Sequence, residues 1–372
     1  MEKARPNRLE HLDMLRGACA LLVVVSHLRS MLIVPYAQAE RHGSAELLLF
    51  TLGGLGHESV IVFFALSGYL VGGSTLAAMR AGRFSFLDYG VARLSRLWTV
   101  LVPALILTAL LDFAGAALAP PGAYRGAFAE LIFSGPTPAE PASHSLSSFI
   151  GNLLFLQTIV TPTFGSDRPL WSLANEAWYY LVFPLVALGY FRRGRSTSAL
   201  CALAGLLALA WLPVETALLG LPWLAGALAA DHPVRWSPTR ALAASAATVA
   251  TIGVSHHART IGGDILLGCV VAFWLRDLAA LGPIGGLYAR AATGLSNISY
   301  TLYAVHFPLV LMLWFWLLAP AQSQLGAVAL MRIAAFLAVA LAYATLVWFL
   351  FERRTDAVRG AMRRALGAFA RA

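Results

Sequence analysis

Two histidines and a glutamate stand inside stretches otherwise too apolar to suit them: His27 in "LDMLRGACALLVVVSHLR", Glu176 in "RPLWSLANEAWYYLVFPL" and His306 in "ISYTLYAVHFPLV". Imidazole is the commonest general base near neutral pH, and a carboxylate beside it can orient the ring or stabilise its charged form. Ionisable groups in such surroundings face an interior cavity or one another, because hydrocarbon solvates neither charge nor proton. The three residues sit on three different apolar runs and read as one convergent polar site. Ser172 and Tyr180 lie four residues to either side of Glu176, on the same helical face; the alternative use of Glu176 is as a structural acid, bonded to Ser172 or paired with an arginine. No second ligand stands at i+3 or i+4 of either histidine, and no metal is expected.

Cationic groups form the second pattern. Arg16 precedes His27 by eleven residues, almost three helical turns, which puts both on one face about 16 Å apart along the axis. Asp13 is one turn before Arg16. In "YGVARLSRLWTVLVP" Arg93 and Arg96 share a face at i, i+3; paired guanidinium groups at a membrane mouth suit phosphate recognition, and their alternative use is as a topology signal alone. The run "SVIVFFALSGYLVGGS" supplies Ser67, Gly68, Gly72 and Gly73, small residues that let helices approach closely.

The elements that must position these groups are membrane helices. Of 372 residues 59% are hydrophobic and 12% charged, against about a quarter charged in soluble domains, and the mean hydropathy is +0.72. A spanning helix needs roughly 20 apolar residues, which predicts an all-α, polytopic membrane protein with about ten transmembrane helices near 12–35, 51–73, 97–119, 170–191, 197–212, 215–230, 239–255, 261–280, 296–319 and 327–351. The short run 145–162 contains Asn152 and Gln157 and is expected to be re-entrant. On this topology the cytosolic pieces hold 20 basic residues, among them Lys3, Arg5, Arg8, Arg192, Arg193, Arg195 and Arg371, against six outside, with Arg16 within the first helix. Both termini are therefore expected in the cytosol of a cell whose inner membrane holds the chain. The first apolar stretch is too long for a signal peptide and is expected to stay as a helix. The net charge of +9 is spread over short loops, which speaks against a nucleic-acid partner. Residues 352–372 form a basic amphipathic tail suited to anionic lipid, and 1–372 reads as a single membrane-embedded domain. Cys19, Cys201 and Cys269 lie in apolar runs and read as packing residues. His256 and His257 read as solvated residues of an outer loop.

In their order along the chain, "LDMLRG" followed by His27, "FFALSGYL", "RLSRL", "WSLANEAWYYLVFPL" and "ISYTLYAVH" resemble the membrane acyltransferase-3 family, whose members acylate cell-surface carbohydrates and some natural products. Met14 departs from the usual glycine, and Thr99 from a common proline. The resemblance implies a cytosolic acyl-CoA donor, most commonly acetyl-CoA, an essential histidine at His27, and important arginines at Arg16, Arg93 and Arg96. Asp13 would orient Arg16. Some members carry an extracytoplasmic hydrolase-like domain; none is read here. Acyl transfer to a hydroxyl needs a base for the departing proton, and His27 would act either as that general base or as a transient acyl carrier, with Glu176 and His306 beside it. The implied partners are acyl-CoA, a carbohydrate or glycolipid acceptor and membrane lipid. A rival from another class uses His27, Glu176 and His306 as the proton relay of a glycolipid transporter, but no internal repeat of the kind transporters often show is visible.

Overall fold

A computed structural model describes residues 9–191 and 196–369. The basic residues counted above at Lys3, Arg5, Arg8, Arg192, Arg193, Arg195 and Arg371 lie outside them. The described residues are helical, without a strand: α1 Glu10–Leu32, α2 Ser44–Leu52, α3 Gly56–Ser67, α4 Gly73–Arg80, α5 Phe86–Ala116, α6 Leu146–Leu153, α7 Trp171–Phe191, α8 Ser196–Trp211, α9 Val214–Ala230, α10 Pro238–Ala258, α11 Ile261–Ala280, α12 Gly286–Leu317, α13 Ala327–Leu350 and α14 Thr355–Phe369. Five helical stretches are long and apolar enough to cross a membrane, Glu10–Leu32, Gly56–Arg80, Phe86–Ala116, Gly286–Leu317 and Ala327–Gly367, with shorter apolar helices at Ser196–Trp211 and Val214–Ala230. Large apolar side chains such as Leu110, Phe113, Leu203, Leu207 and Leu346 are exposed on the helix surfaces. That is the solvation a bilayer asks for and water penalises. The protein is a helical membrane protein.

A helix meets each of the ten expected stretches. α5 and α12 begin about three turns before the apolar cores that announced them, and for α5 a capped first turn accounts for it. The Ser85 hydroxyl accepts the Asp88 amide at the start of α5, and Asp88 opposes the helix dipole there. The run 145–162 contributes only the eight residues of α6, about 12 Å of rise, too short to cross. Behind α6 the chain turns on Phe155 and Thr158 at positive φ, and Asn152 pins the turn by donating to the carbonyls of Ser148 and Pro162 and accepting the Phe164 amide.

The chain divides into two compact units, one of residues 1–19, 57–84 and 178–299, the other of 20–56, 85–177 and 300–372; three of the five divisions fall within α1, α7 and α12, one at the first residue of α3 and one between α4 and α5. In the first unit a π-helical turn, Gly68–Gly72, joins α3 to α4. A Cβ on Gly68 would stand 1.8 Å from the Trp223 carbonyl oxygen, and one on Gly226 would stand 2.0 Å from that of Ala65. Backbone therefore touches backbone between the α3–α4 stretch and α9, the packing that small residues allow in lipid. Ser67 accepts the Trp223 indole N–H at 3.2 Å and exchanges a hydrogen bond with Tyr180 at 3.0 Å. The motif "FFALSGYL" is thus a packing device.

Candidate active site

The second unit brings together the two histidines. His27 Nδ1 on α1 and His306 Nε2 on α12 are 2.8 Å apart, across 279 residues of sequence. Their rings are nearly coplanar, 10° apart with centroids at 5.1 Å. That separation is what an in-plane N···N contact leaves between two five-membered rings. Phe307 presses against His27 edge-on, with centroids 5.0 Å apart. His306 is fully buried, whereas His27 keeps part of its surface open.

Valence settles where the protons lie in the neutral pair. His306 Nδ1 stands 2.9 Å from the Leu302 carbonyl oxygen and 3.0 Å from that of Tyr303. Carbonyls only accept, so Nδ1 carries the hydrogen and Nε2 keeps its lone pair. His27 must then donate from Nδ1, which leaves its own Nε2 unprotonated. The buried ring fixes the tautomer of the more open one, as the second partner of a working histidine does elsewhere.

Glu176, half-buried on α7, lies one turn after Ser172. The Ser172 hydroxyl is engaged with Tyr303 at 2.6 Å, and Tyr303 donates to the Pro169 carbonyl at 2.7 Å. Tyr180, expected on the same face, is in the first unit, bonded to Ser67. The group facing Nδ1 of His27 is an imidazole, not the carboxylate that the sequence suggested.

The cationic residues fall into two sets. In the first unit Arg16 donates to Ser296 at 3.3 Å, Ser296 donates to Asp13 at 2.7 Å, and the direct Asp13–Arg16 distance is 4.0 Å; Asp13 and Ser296 together hold the guanidinium. In the second unit Arg93 lies over the Tyr89 ring at 5.7 Å and Arg96 over that of Tyr300 at 5.8 Å, with Arg96 3.9 Å from Glu352. Guanidinium groups are suited by their fork of N–H donors to bidentate contacts with an anion. Among the described residues no group of three or more His, Cys, Asp or Glu is placed to hold a metal ion.

Two polar clusters were not read from the sequence. In the second unit Asp112 accepts the Ser166 amide at 2.7 Å, the Ser166 hydroxyl at 2.6 Å and His144 Nε2 at 2.8 Å, while Thr108 donates to the neighbouring Asp167 at 3.5 Å. Gly165 closes the cluster at φ +59°, where a Cβ would lie 2.5 Å from Asp112 Oδ2. Asp112, an acid at the end of an apolar run, was the available signal. In the first unit His57 pairs with Asp264 at 2.8 Å, Ser255 donates to the same carboxylate at 2.8 Å, and His256 meets Glu58 at 3.0 Å. His256 therefore belongs to the last turn of α10 and is paired, which corrects its reading as a solvated loop residue.

The paired acids Asp112 and Asp167 predict opposite responses to neutralisation. Burial, and then the neighbouring Asp112, hold Asp167 well above the usual carboxylate range, so the folded chain keeps a proton that the unfolded chain releases. Stability therefore falls as pH rises above the ordinary aspartate value. Asp167→Asn should preserve or raise the thermal midpoint at neutral pH and flatten that slope. Asp112→Asn, which weakens an acceptor of three hydrogen bonds, should lose about 3 kcal/mol. Tryptophan fluorescence melts of purified protein read both; Asp167→Asn proving the more damaging would refute the assignment.

Comparison with known proteins gives the family. A family model described as an acyltransferase domain, that of acyltransferase-3, matches residues 9–349. An "O-acetyl transferase" of Shigella phage Sf6 is 24% identical over 314 residues, covering 80% of this chain and 83% of the relative. No solved structure matches. The match over nearly the whole chain means that this protein belongs to the acyltransferase-3 family and is an acyltransferase.

Proposed function

We propose that the protein moves an acyl group, most simply acetyl, from cytosolic acyl-CoA to a hydroxyl of a cell-surface or secreted carbohydrate, with His27 as the base. The observation that carries this reading is the His27–His306 pair, a half-open imidazole whose Nε2 is left bare by a buried partner. In the reaction Nε2 takes the acceptor's hydroxyl proton as its oxygen attacks the thioester carbonyl. The carbon–sulfur bond then breaks, and His27 returns the proton to the leaving thiolate, so the enzyme ends as it began. Glu176, on α7 one turn after Ser172, is the acid that would stabilise the charged form of His27. Arg93 and Arg96, each over an aromatic ring, grip the donor's phosphates, and Arg16, set by Asp13, is the further arginine that the resemblance makes important. The excess of basic residues on one side supports an inner-membrane topology of ten spans with both termini cytosolic, the 145–162 segment dipping in from outside, and α14 lying on anionic lipid. A transporter would use the same histidines as a proton relay; family membership decides for chemistry.

The test is transfer of label from radioactive acetyl-CoA to surface glycans in membranes. A charged hydrogen bond contributes about 1.5–3 kcal/mol, so Arg93→Ala or Arg96→Ala should raise the donor KM by roughly 10-fold or more, and Lys should restore only part because a point charge cannot form a bidentate contact. An unchanged donor KM in the double Ala variant would return both arginines to topology.

A further inference from the structure

Beyond the residues matched by the family, Glu352 opens the 3-10 turn Glu352–Arg354 that leads from α13 into α14. It is 8% exposed, and a carboxylate at that depth is retained only where partners balance it. Thr301 donates to its Oε2 at 2.5 Å, and Arg96 Nη2 stands 3.9 Å from its Oε1. The arginine side chain itself is 43% exposed. Its guanidinium lies over the Tyr300 ring, and the Tyr300 hydroxyl is tied to the Leu97 carbonyl at 3.3 Å. Arg96 thus has an aromatic ring beside it and a buried charge 3.9 Å away, while its own side chain stays 43% exposed. The following helix is fixed to α5 as well, through Arg363 and Asp88 at 2.8 Å.

We infer that Glu352 is a positioning residue for Arg96, setting the donor-side guanidinium before acyl-CoA arrives; this rests on the reading of Arg96 as a donor contact. An arginine side chain carries considerable rotamer entropy, and holding it in place removes part of that from the cost of binding. The sign follows from the geometry. At 3.9 Å the carboxylate steers Arg96 without consuming a hydrogen bond, and its second oxygen is committed to Thr301. An incoming phosphate therefore need not displace it.

Glu352→Gln keeps the shape and the Thr301 contact and removes the charge. In membranes containing the full chain it should raise the donor KM about fivefold, within the coupling expected of residues in contact, while kcat and the acceptor KM stay within about twofold. In an Arg96→Ala background the same change should add nothing. An additive effect, a lowered donor KM, or equal losses in donor and acceptor KM would overturn the inference. If Arg96→Ala itself leaves the donor KM unaltered, the donor reading fails and takes this inference with it. Should Glu352→Gln not accumulate, Thr301→Val, which loosens the carboxylate, should give the same split at smaller size; no split there would equally refute it.

Discussion

His27→Ala is expected to lose about 10²- to 10⁴-fold in acyl transfer, the usual loss when a general base is removed, while inserting and accumulating like the parent. Three features isolate this residue. Its ring is the more open of the hydrogen-bonded pair, its Nε2 is the nitrogen left without a proton, and Phe307 holds its flank so that the lone pair points in one direction. Alanine removes the base and leaves the helix intact, since α1 is held by its own ladder and by buried neighbours such as Val24 and Leu28. On the proposed mechanism the base acts on the acceptor hydroxyl, so the loss should fall on kcat, with the donor KM little changed. The measurement is label transfer from acetyl-CoA in membranes, with protein level followed in parallel. Near-normal transfer by the alanine variant would end the proposed mechanism; a fall matched by an equal fall in protein would instead mark His27 as structural.

How much of this was legible in the sequence depends on the range of the interaction. Helices follow from local hydropathy, and each apolar run became one. Their ends were less visible, since Ser85 and Asp88 extend α5 by capping chemistry that an apolar window does not register. The histidines announced themselves because each is out of place in its own run, but their contact spans 279 residues and no spacing rule reaches that far. For the same reason the partner expected for His27 was the carboxylate of Glu176 and the partner found is a ring. Asp112 was missed although it too is an acid against an apolar run. It sits in the last turns of α5, before the following loop, and an acid at a boundary looks solvated until the strap of Gly165, Ser166 and Asp167 is seen folding back onto it. His256 was misread likewise, as its partner Glu58 comes from another helix.

His306 should separate positioning from chemistry. It is fully buried and its Nδ1 is committed to two carbonyls of its own helix, so it cannot itself reach an acceptor hydroxyl; what it offers is a lone pair that obliges His27 to donate from Nδ1. His306→Leu fills the space and removes that lone pair. His27 is then free to place its proton on either nitrogen and to turn about its side-chain torsions, and losing the group that fixes a catalytic imidazole's tautomer costs up to about 10⁴-fold in kcat. Glutamine reaches about as far as the imidazole Nε2 and can present an amide oxygen there, so His306→Gln should recover a substantial part of the rate that leucine loses, by accepting the same hydrogen from His27. Asparagine, too short to reach, should not. A purely structural residue would order the three by packing, with leucine the best tolerated and both amides worse, because burying an unsatisfied amide in this setting is unfavourable. The rank of kcat at equal protein level therefore decides: glutamine above leucine supports the tautomer lock, and leucine above glutamine refutes it.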